Sequence, residues 1–215
     1  MPQLQSPITI FAVNAANDTS PSGVTDQVTG QPIYIGDLNR GVYFDLTNEE
    51  AASMSDTLIG KLYAGRYRRV QVDSGATAAN VKTGTIGLMP SLAAMSQDVA
   101  PVGVPTENVV TSYDQAIGNA VGGMRQVVFL NAITPGNFGF VQELGVATVL
   151  GQASLTAAPA VGDVIVSVAT GLVNDPTQSG SPTYALLKTV LGTAVDLPVS
   201  GGLFRILLNL PVFQD

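Results

Sequence analysis

Cysteine, histidine and tryptophan are all absent from the 215 residues of the chain. Without cysteine the protein has no disulfide framework, no thiol nucleophile and no redox centre. Without histidine it lacks the commonest general base, the commonest metal ligand and the usual side chain that changes its charge between about pH 5 and pH 8. These absences predict that the protein is not an enzyme and that it holds neither a metal nor a cofactor.

Charge is also scarce. Charged residues make up 12% of the chain, and nine Lys and Arg against sixteen Asp and Glu give a formal net charge of −7. Such a sparse surface charge indicates that other protein copies cover much of the surface. Nucleic acids require a basic stripe, and the only local candidate is the group Lys61, Arg66, Arg68 and Arg69. The composition favours a solvated or subunit-facing strand edge for this group, and we expect no nucleic-acid partner.

Long hydrophobic runs are missing as well. The longest uncharged stretches, such as residues 144–162, are broken by Gly, Gln, Ser, Thr and Pro, so they fit buried strands and loops better than a membrane span. No Lys or Arg precedes Arg40, so the N-terminus lacks the basic region of a secretory signal. We therefore expect neither a membrane partner nor a targeting segment.

Motifs of known chemistry are not found. Neither of the glycine-rich nucleotide-binding loops nor a nucleophile elbow occurs in the sequence. Two carboxylate pairs, Asp37 with Asp45 and Glu49 with Glu50, are the nearest candidates for acid–base catalysis. Turn formation and the first turn of a helix, where negative charge is favourable, explain these residues better.

The first 36 residues form a distinct opening segment. Four prolines and many small polar residues separate two short apolar runs, Ile8–Val13 and Ile33–Ile35. This pattern is too broken to build a core of its own. We expect an extended N-terminal arm over residues 1–36, packed either on a neighbouring subunit or on its own chain.

A helix is predicted in the next segment, residues 37–66, after a short strand. Thr47 and Glu50 have the spacing of a capping box, and Gly65 suits a left-handed C-cap. Between them one apolar stripe recurs at spacings of three and four residues, formed by Ala51, Met54, Leu58 and Leu62. The pattern predicts an α-helix over residues 48–63.

From residue 67 onward the sequence is typical of a β protein, with short apolar runs separated by Gly, Pro, Asn and Asp. The predicted strands are Tyr67–Val72, Thr85–Met89, Val109–Ser112, Gln126–Asn131, Gly139–Glu143, Ala147–Leu150, Asp163–Val168, Leu186–Leu191 and Leu203–Leu210. We expect a mainly β fold.

One layout occurs twice. The stretch VVFLNAITPGNFGFVQ (127–142) has the same order of strand, Pro- and Gly-containing turn, and strand as VLGTAVDLPVSGGLFRIL (190–207). A half-sheet exposes its edges and one apolar face, whereas two halves can cover each other. We therefore predict a small β-barrel or sandwich domain over 67–215, built from two similar half-units at about 67–142 and 143–215.

Four stretches carry a family resemblance: GRYRRVQVDSGATAANVKTGTIGL, AITPGNFGFVQELGVATV, VGDVIVSVATGLV and LKTVLGTAVDL. Together they resemble the head decoration, or cement, proteins of tailed bacteriophages, over roughly residues 63–210. The resemblance implies a structural protein on the outer surface of the virion capsid, commonly a homotrimer. Its partner would be the major capsid protein, whose subunits it would hold together against the pressure of packaged DNA.

Candidate contact residues come from the arm and from the basic strand. For the interface with the coat or with neighbouring subunits we predict Ile8, Ile10, Phe11, Val13, Ile33, Tyr34, Ile35, Arg66, Arg68 and Arg69. Two alternative functions remain open. One is a tail, baseplate or minor head component, and the other is a carbohydrate-binding β-module, which the absence of tryptophan disfavours.

Overall fold

The computed structural model describes residues 24–25, 32–33, 43–49, 51, 62–89, 109–112, 125–155, 160–174 and 190–208. The strands are β1 (Val24–Thr25), β2 (Pro32–Ile33), β3 (Tyr43–Leu46), β4 (Gly65–Val72), β5 (Ile86–Met89), β6 (Val109–Ser112), β7 (Arg125–Phe129), β8 (Phe138–Leu150), β9 (Val164–Ser167), β10 (Val173–Asn174), β11 (Val190–Ala194) and β12 (Leu203–Leu208). Short 3₁₀ turns cover Ala78–Asn80 and Ala169–Gly171. The predicted mainly β fold is confirmed.

Five strands close into a barrel. Around the ring β4 pairs with β8, β8 with β7, β7 with β5 and β5 with β6, all antiparallel, and β6 returns to β4 in parallel. Strand β3 adds to the free edge of β4. Closure removes most of the unpaired strand edges that a sheet of this size would expose. The predicted β-barrel is confirmed in this form.

Strand β8 is 13 residues long and continues beyond the barrel. Its second half pairs with β12, followed by β11, β9 and β10. A single parallel bridge between Gly151 and Val173 joins the two edges of this group. We call residues 144–151 together with β9–β12 the distal sheet.

The barrel and the distal sheet have the same order of strand pairing. In the barrel the strands follow the order β4, β8, β7, β5, β6 and back to β4, and this last pairing is parallel. In the distal sheet the corresponding order is the second half of β8, then β12, β11, β9, β10 and back to the end of β8, again with a parallel last pairing. Individual hydrogen bonds also match. The N–H of Gly84 donates to the carbonyl of Phe129, and the N–H of Gly162 donates to the carbonyl of Ala194.

The turns that precede β5 and β9 match in their side chains too. Thr85 Oγ1 accepts the N–H of Lys82 at 3.1 Å, and Asp163 Oδ2 accepts the N–H of Ala160 at 2.6 Å. In both turns the side chain of the residue before the strand caps the backbone three residues earlier. The same backbone path is thus stabilised by a threonine in one turn and an aspartate in the other.

Two apolar clusters fill the molecule. The barrel interior holds a cluster that includes Val70, Val110 and Phe129. The second cluster contains the inward side chains of the distal sheet together with Ile86 and Leu88, which belong to the barrel strand β5. The distal sheet therefore packs against the outside of the barrel.

The two predicted strands 139–143 and 147–150 form one continuous strand. Gly145 suggests a break, and its φ is indeed 93°. The chain nevertheless continues through a bulge, because the amide of Gln142 donates to the carbonyls of Leu144 (3.1 Å) and Val146 (2.8 Å). Of the predicted strand 186–191, residues 190 and 191 lie in β11 and residues 186–189 lie outside the described part of the chain. The pairing of β11 with β9 has an irregularity of register at Gly192.

Several predictions lie largely outside the described residues. Of the predicted helix, residues 48, 49 and 51 have helical backbone, and the N–H of Ala51 donates to the carbonyl of Thr47 at 2.9 Å. Of the arm, β1 and β2 pair with each other. The helix over 48–63, the arm over 1–36, the segment 37–66, and the division of 67–215 into two half-units stay predictions.

Candidate interaction surface

Strand β12 has one buried and one open face. Phe204, Ile206 and Leu208 point into the core, whereas the alternate residues Leu203 and Leu207 are 49% and 45% exposed. Large aliphatic side chains that alternate with a buried row are unusual on a solvated strand, where polar residues are expected. The exposed side of β12 is therefore a candidate contact surface.

The open face extends across the neighbouring strands. Leu207 lies opposite Thr193 of β11, and Thr193 lies opposite Val164 of β9. Residues directly opposite each other in an antiparallel pair share a face of the sheet. We define the outer face of the distal sheet as Val164, Thr193, Leu203, Arg205 and Leu207.

The loop between β11 and β12 adds further exposed apolar side chains at one end of this face. Leu197 is 63% exposed and Val199 is 47% exposed. Val199 packs on Gly202, where an added Cβ would lie 2.6 Å from Val199 Cγ1. Because Gly202 directly precedes Leu203, the loop and the strand together present one apolar region.

The charges on this region cancel within one ion pair. Arg205 Nε and Nη2 donate to Asp196 Oδ2 and Oδ1 at 2.6 Å and 2.5 Å, a bidentate arrangement that holds the pKa of Asp196 below its usual range. No other charged residue occurs in residues 190–208. The segment that carries most of the outer face is therefore electrically neutral.

Tyr63 supports this ion pair from the segment before β4. The guanidinium carbon of Arg205 lies 5.2 Å from the centre of the Tyr63 ring, within cation–π range. The backbone of Tyr63 is held in turn by Tyr67, whose hydroxyl donates to the Tyr63 carbonyl at 2.6 Å. Burial raises the pKa of Tyr67 to about 12. Tyr67 thus positions the ring that supports Arg205.

The predicted basic residues lie on β4, and Arg68 has a partner within the chain. Its Nε donates to Glu143 Oε1 at 2.5 Å, and the two side chains are only 11% and 3% exposed. Arg66 is half-buried, with its backbone opposite Leu144, and the backbone of Arg69 lies opposite Phe140. The three arginines therefore lie on the barrel wall and not on the outer face, and their role at an interface stays a prediction.

Of the predicted apolar contact residues in the arm, only Ile33 lies within the described part of the chain, where it pairs with Val24. The remaining ones, Ile8, Ile10, Phe11, Val13, Tyr34 and Ile35, lie outside the described residues. The contact role of these apolar residues stays a prediction.

The outer face itself was not predicted from the sequence. The run LFRILL (203–208) has a single polar residue, so its pattern fits a strand that is buried on both faces. Only Arg205, in the middle of the exposed row, signals that one face is open.

Other kinds of site find no support in the described residues. Within them no group of three or more carboxylates could hold a metal ion. None of the helical segments described is long and apolar enough to cross a membrane.

Comparison with known proteins gives one structural likeness. No protein-family model matches the chain, and no curated protein matches it. Among solved structures it is similar to the N base of the head fibre protein gp8.5 of bacteriophage phi29. The two chains share 14% sequence identity and a TM-score of 0.40, over 66% of this chain and 92% of that one. At this TM-score the likeness carries no argument about function.

Proposed function

We propose that the protein is a structural component of a tailed-phage head, a decoration protein that binds the outer surface of the assembled capsid. It would contact the major capsid protein, act as a homotrimer and stabilise contacts between coat subunits. The observation that supports a role through contact is the neutral, apolar outer face of the distal sheet. The assignment to phage heads rests on the sequence resemblance over residues 63–210.

The electrostatics are compatible with this position. A protein with a net charge of −7 is repelled by packaged DNA, so the outside of a capsid suits it better than the interior. The sequence has no histidine or cysteine for catalysis. We therefore propose a protein that functions by binding and not by catalysis.

Binding to capsids tests the proposal directly. We expect saturable binding of the purified protein to undecorated capsids of its own phage, with a rise in the temperature at which the capsids are disrupted. Calorimetry and sedimentation of the mixture measure both effects. Absence of binding, or binding without stabilisation, would contradict the proposed function.

The N-terminal arm provides a second test. Deletion of residues 1–36 is expected to weaken capsid binding strongly while leaving the barrel folded, as judged by thermal unfolding. Equal binding by the truncated protein would show that the coat contact lies elsewhere. The number of copies per virion, from quantitative mass spectrometry, separates decoration from a tail, baseplate or minor head role, because decoration requires hundreds of copies.

A further inference from the structure

We propose that the outer face of the distal sheet is the contact surface between copies of this chain, with the faces of neighbouring copies meeting about a common axis. The proposal rests on the proposed function only in that both require a homo-oligomer. It identifies a surface for assembly, the outer face, that does not include the contact residues predicted from the sequence.

The barrel contains a row of residues at the positions that correspond to Val164, Thr193 and Leu207 of the outer face, and the distal sheet covers that row. Ile86 lies opposite Val128, and Val128 lies opposite Gln142. In the matching strands of the distal sheet the same positions are held by Val164, Thr193 and Leu207.

The two rows differ in burial. The three barrel residues Ile86, Val128 and Gln142 are at most 2% exposed, and the two apolar ones belong to the cluster shared with the distal sheet. In the outer row, Val164 and Thr193 are half-buried and Leu207 is exposed. The outer row is therefore the counterpart of a surface that a sheet covers elsewhere in the same molecule, and it is more apolar at its third position.

The loops next to the two rows can be compared position by position, which shows whether the fold itself requires apolar residues there. The β7–β8 loop (130–137) and the β11–β12 loop (195–202) both contain eight residues and both place a glycine with positive φ at their seventh position, Gly136 and Gly201. A hydrogen bond also matches: Asn137 N–H donates to the Thr134 carbonyl, and Gly202 N–H donates to the Val199 carbonyl.

The exposed positions of these loops carry different residues. The barrel loop has Ala132 and Thr134, whereas the distal loop has Leu197 and Val199 at the same places. Since the backbone is the same, the fold does not require large apolar side chains there. Their presence beside the outer face extends the apolar area that a partner can bury.

The charge of the region favours a second copy as the partner. Two copies that each carry a net charge of −7 repel each other. This repulsion is smallest where Asp196 and Arg205 neutralise each other and no other charge occurs along 190–208. A neutral apolar face has no unpaired charge with which to select a charged partner, but its own copy matches it chemically.

The oligomeric state of the full-length protein tests the proposal. We expect the wild-type protein to be oligomeric by native mass spectrometry and analytical ultracentrifugation. The double variant Leu203→Ser/Leu207→Ser should dissociate, with a dissociation constant raised at least about tenfold. Leu197→Ser/Val199→Ser should weaken assembly less, and the matched barrel-loop variant Ala132→Ser/Thr134→Ser should leave it unchanged. Thermal unfolding verifies that each variant is folded. If Leu203→Ser/Leu207→Ser does not fold, the single variant Leu207→Ser replaces it.

The absence of native cysteine permits a second, independent measurement. Leu207→Cys should form a disulfide-linked dimer under mild oxidation, because the faces of two copies meet, whereas Ala132→Cys should stay reduced. Failure of Leu207→Cys to cross-link in an oligomeric sample would overturn the face-to-face arrangement.

Three further outcomes would also overturn the proposal: a monomeric wild-type protein, serine variants that stay fully oligomeric, or serine variants that stay oligomeric but lose capsid binding. The last outcome would assign the face to the coat protein. Oligomerisation through this face without any capsid binding would support the proposal while contradicting the proposed function, so the two are separable.

Discussion

The β7–β8 loop of the barrel and the β11–β12 loop of the distal sheet follow the same path and are used differently. In the barrel loop Ile133 points inward and fills the space beside Gly139, where its Cδ1 leaves no room for a Cβ. In the distal loop the buried residue at the same position is Pro198, and the large aliphatic side chains Leu197 and Val199 point outward. One backbone plan therefore serves a barrel that completes its own core and a sheet that retains an exposed apolar face.

The largest expected effect comes from comparing the ion pairs of the two regions. Arg68 and Glu143 are buried in the barrel wall, so Glu143→Ala removes a carboxylate partner from a buried guanidinium. We expect a loss of about 3–5 kcal/mol in the free energy of unfolding, measured with urea.

The control is the corresponding change in the distal sheet. Asp196 and Arg205 are more than a third exposed, and solvent screens their interaction. Asp196→Ala should therefore lower stability far less than Glu143→Ala. Similar losses in the two variants would contradict the distinction between a closed barrel and an open distal face.

The second prediction compares the loops directly. Ile133→Ala removes buried methyl groups from the barrel core and is expected to lower the free energy of unfolding by about 2–5 kcal/mol. Leu197→Ala removes an exposed side chain, and should change the stability of the monomer by no more than about 0.5 kcal/mol. Chemical denaturation at low protein concentration measures both. A large loss for Leu197→Ala under these conditions would mean that its side chain serves the chain's own core.

The third prediction concerns Tyr67, which supports Tyr63 and hence the neutral pair on the distal sheet. Because burial raises the pKa of Tyr67 from 10 to about 12, the folded protein holds this proton more tightly than the unfolded chain. The resulting stability is fully present below about pH 10 and is lost as the pH rises towards 12, a decrease on the order of 2–3 kcal/mol.

Tyr67→Phe is the control for this effect. It removes the hydroxyl that donates to the Tyr63 carbonyl, so it should be somewhat less stable at neutral pH and should lose less stability between about pH 10 and pH 12. Urea midpoints measured across this range test the expectation. An identical alkaline decrease in both proteins would assign it to other groups.

The smallest effect is expected in the connection between β9 and β10. Thr170 has a φ of 70°, which is unfavourable for a β-branched residue, and Gly171 follows with a φ of 75°. Thr170→Gly should relieve this strain and raise the free energy of unfolding by about 0.5–1 kcal/mol. Gly171→Ala places a side chain in the same backbone region, and should lower it by about 1 kcal/mol or more. A loss of stability in Thr170→Gly would show that the threonine side chain outweighs the strain.

Much of the strand pattern could be predicted from the sequence. Val109–Ser112 was predicted with its observed bounds, and Leu203 was correctly placed at the start of a strand, because local punctuation by Gly, Pro and Asn is strong there. The continuity of β8 could not be predicted, since it depends on hydrogen bonds from the side chain of Gln142 across a bulge. The partner of Arg68 was equally hidden, because Glu143 is 75 residues away along the chain.

The sequence by itself determined the fold class, because short β-type runs alternate with turns that contain Gly, Pro, Asn and Asp. It also contained the repeated layout of residues 127–142 and 190–207. Only the tertiary structure decided which apolar row is covered. Ile86 and Leu207 both belong to apolar strands of similar local pattern, and local pattern does not specify non-local pairing. Ile86 is buried because the distal sheet packs onto the barrel, and Leu207 is exposed because it lies on the face of that sheet that points away from the shared core.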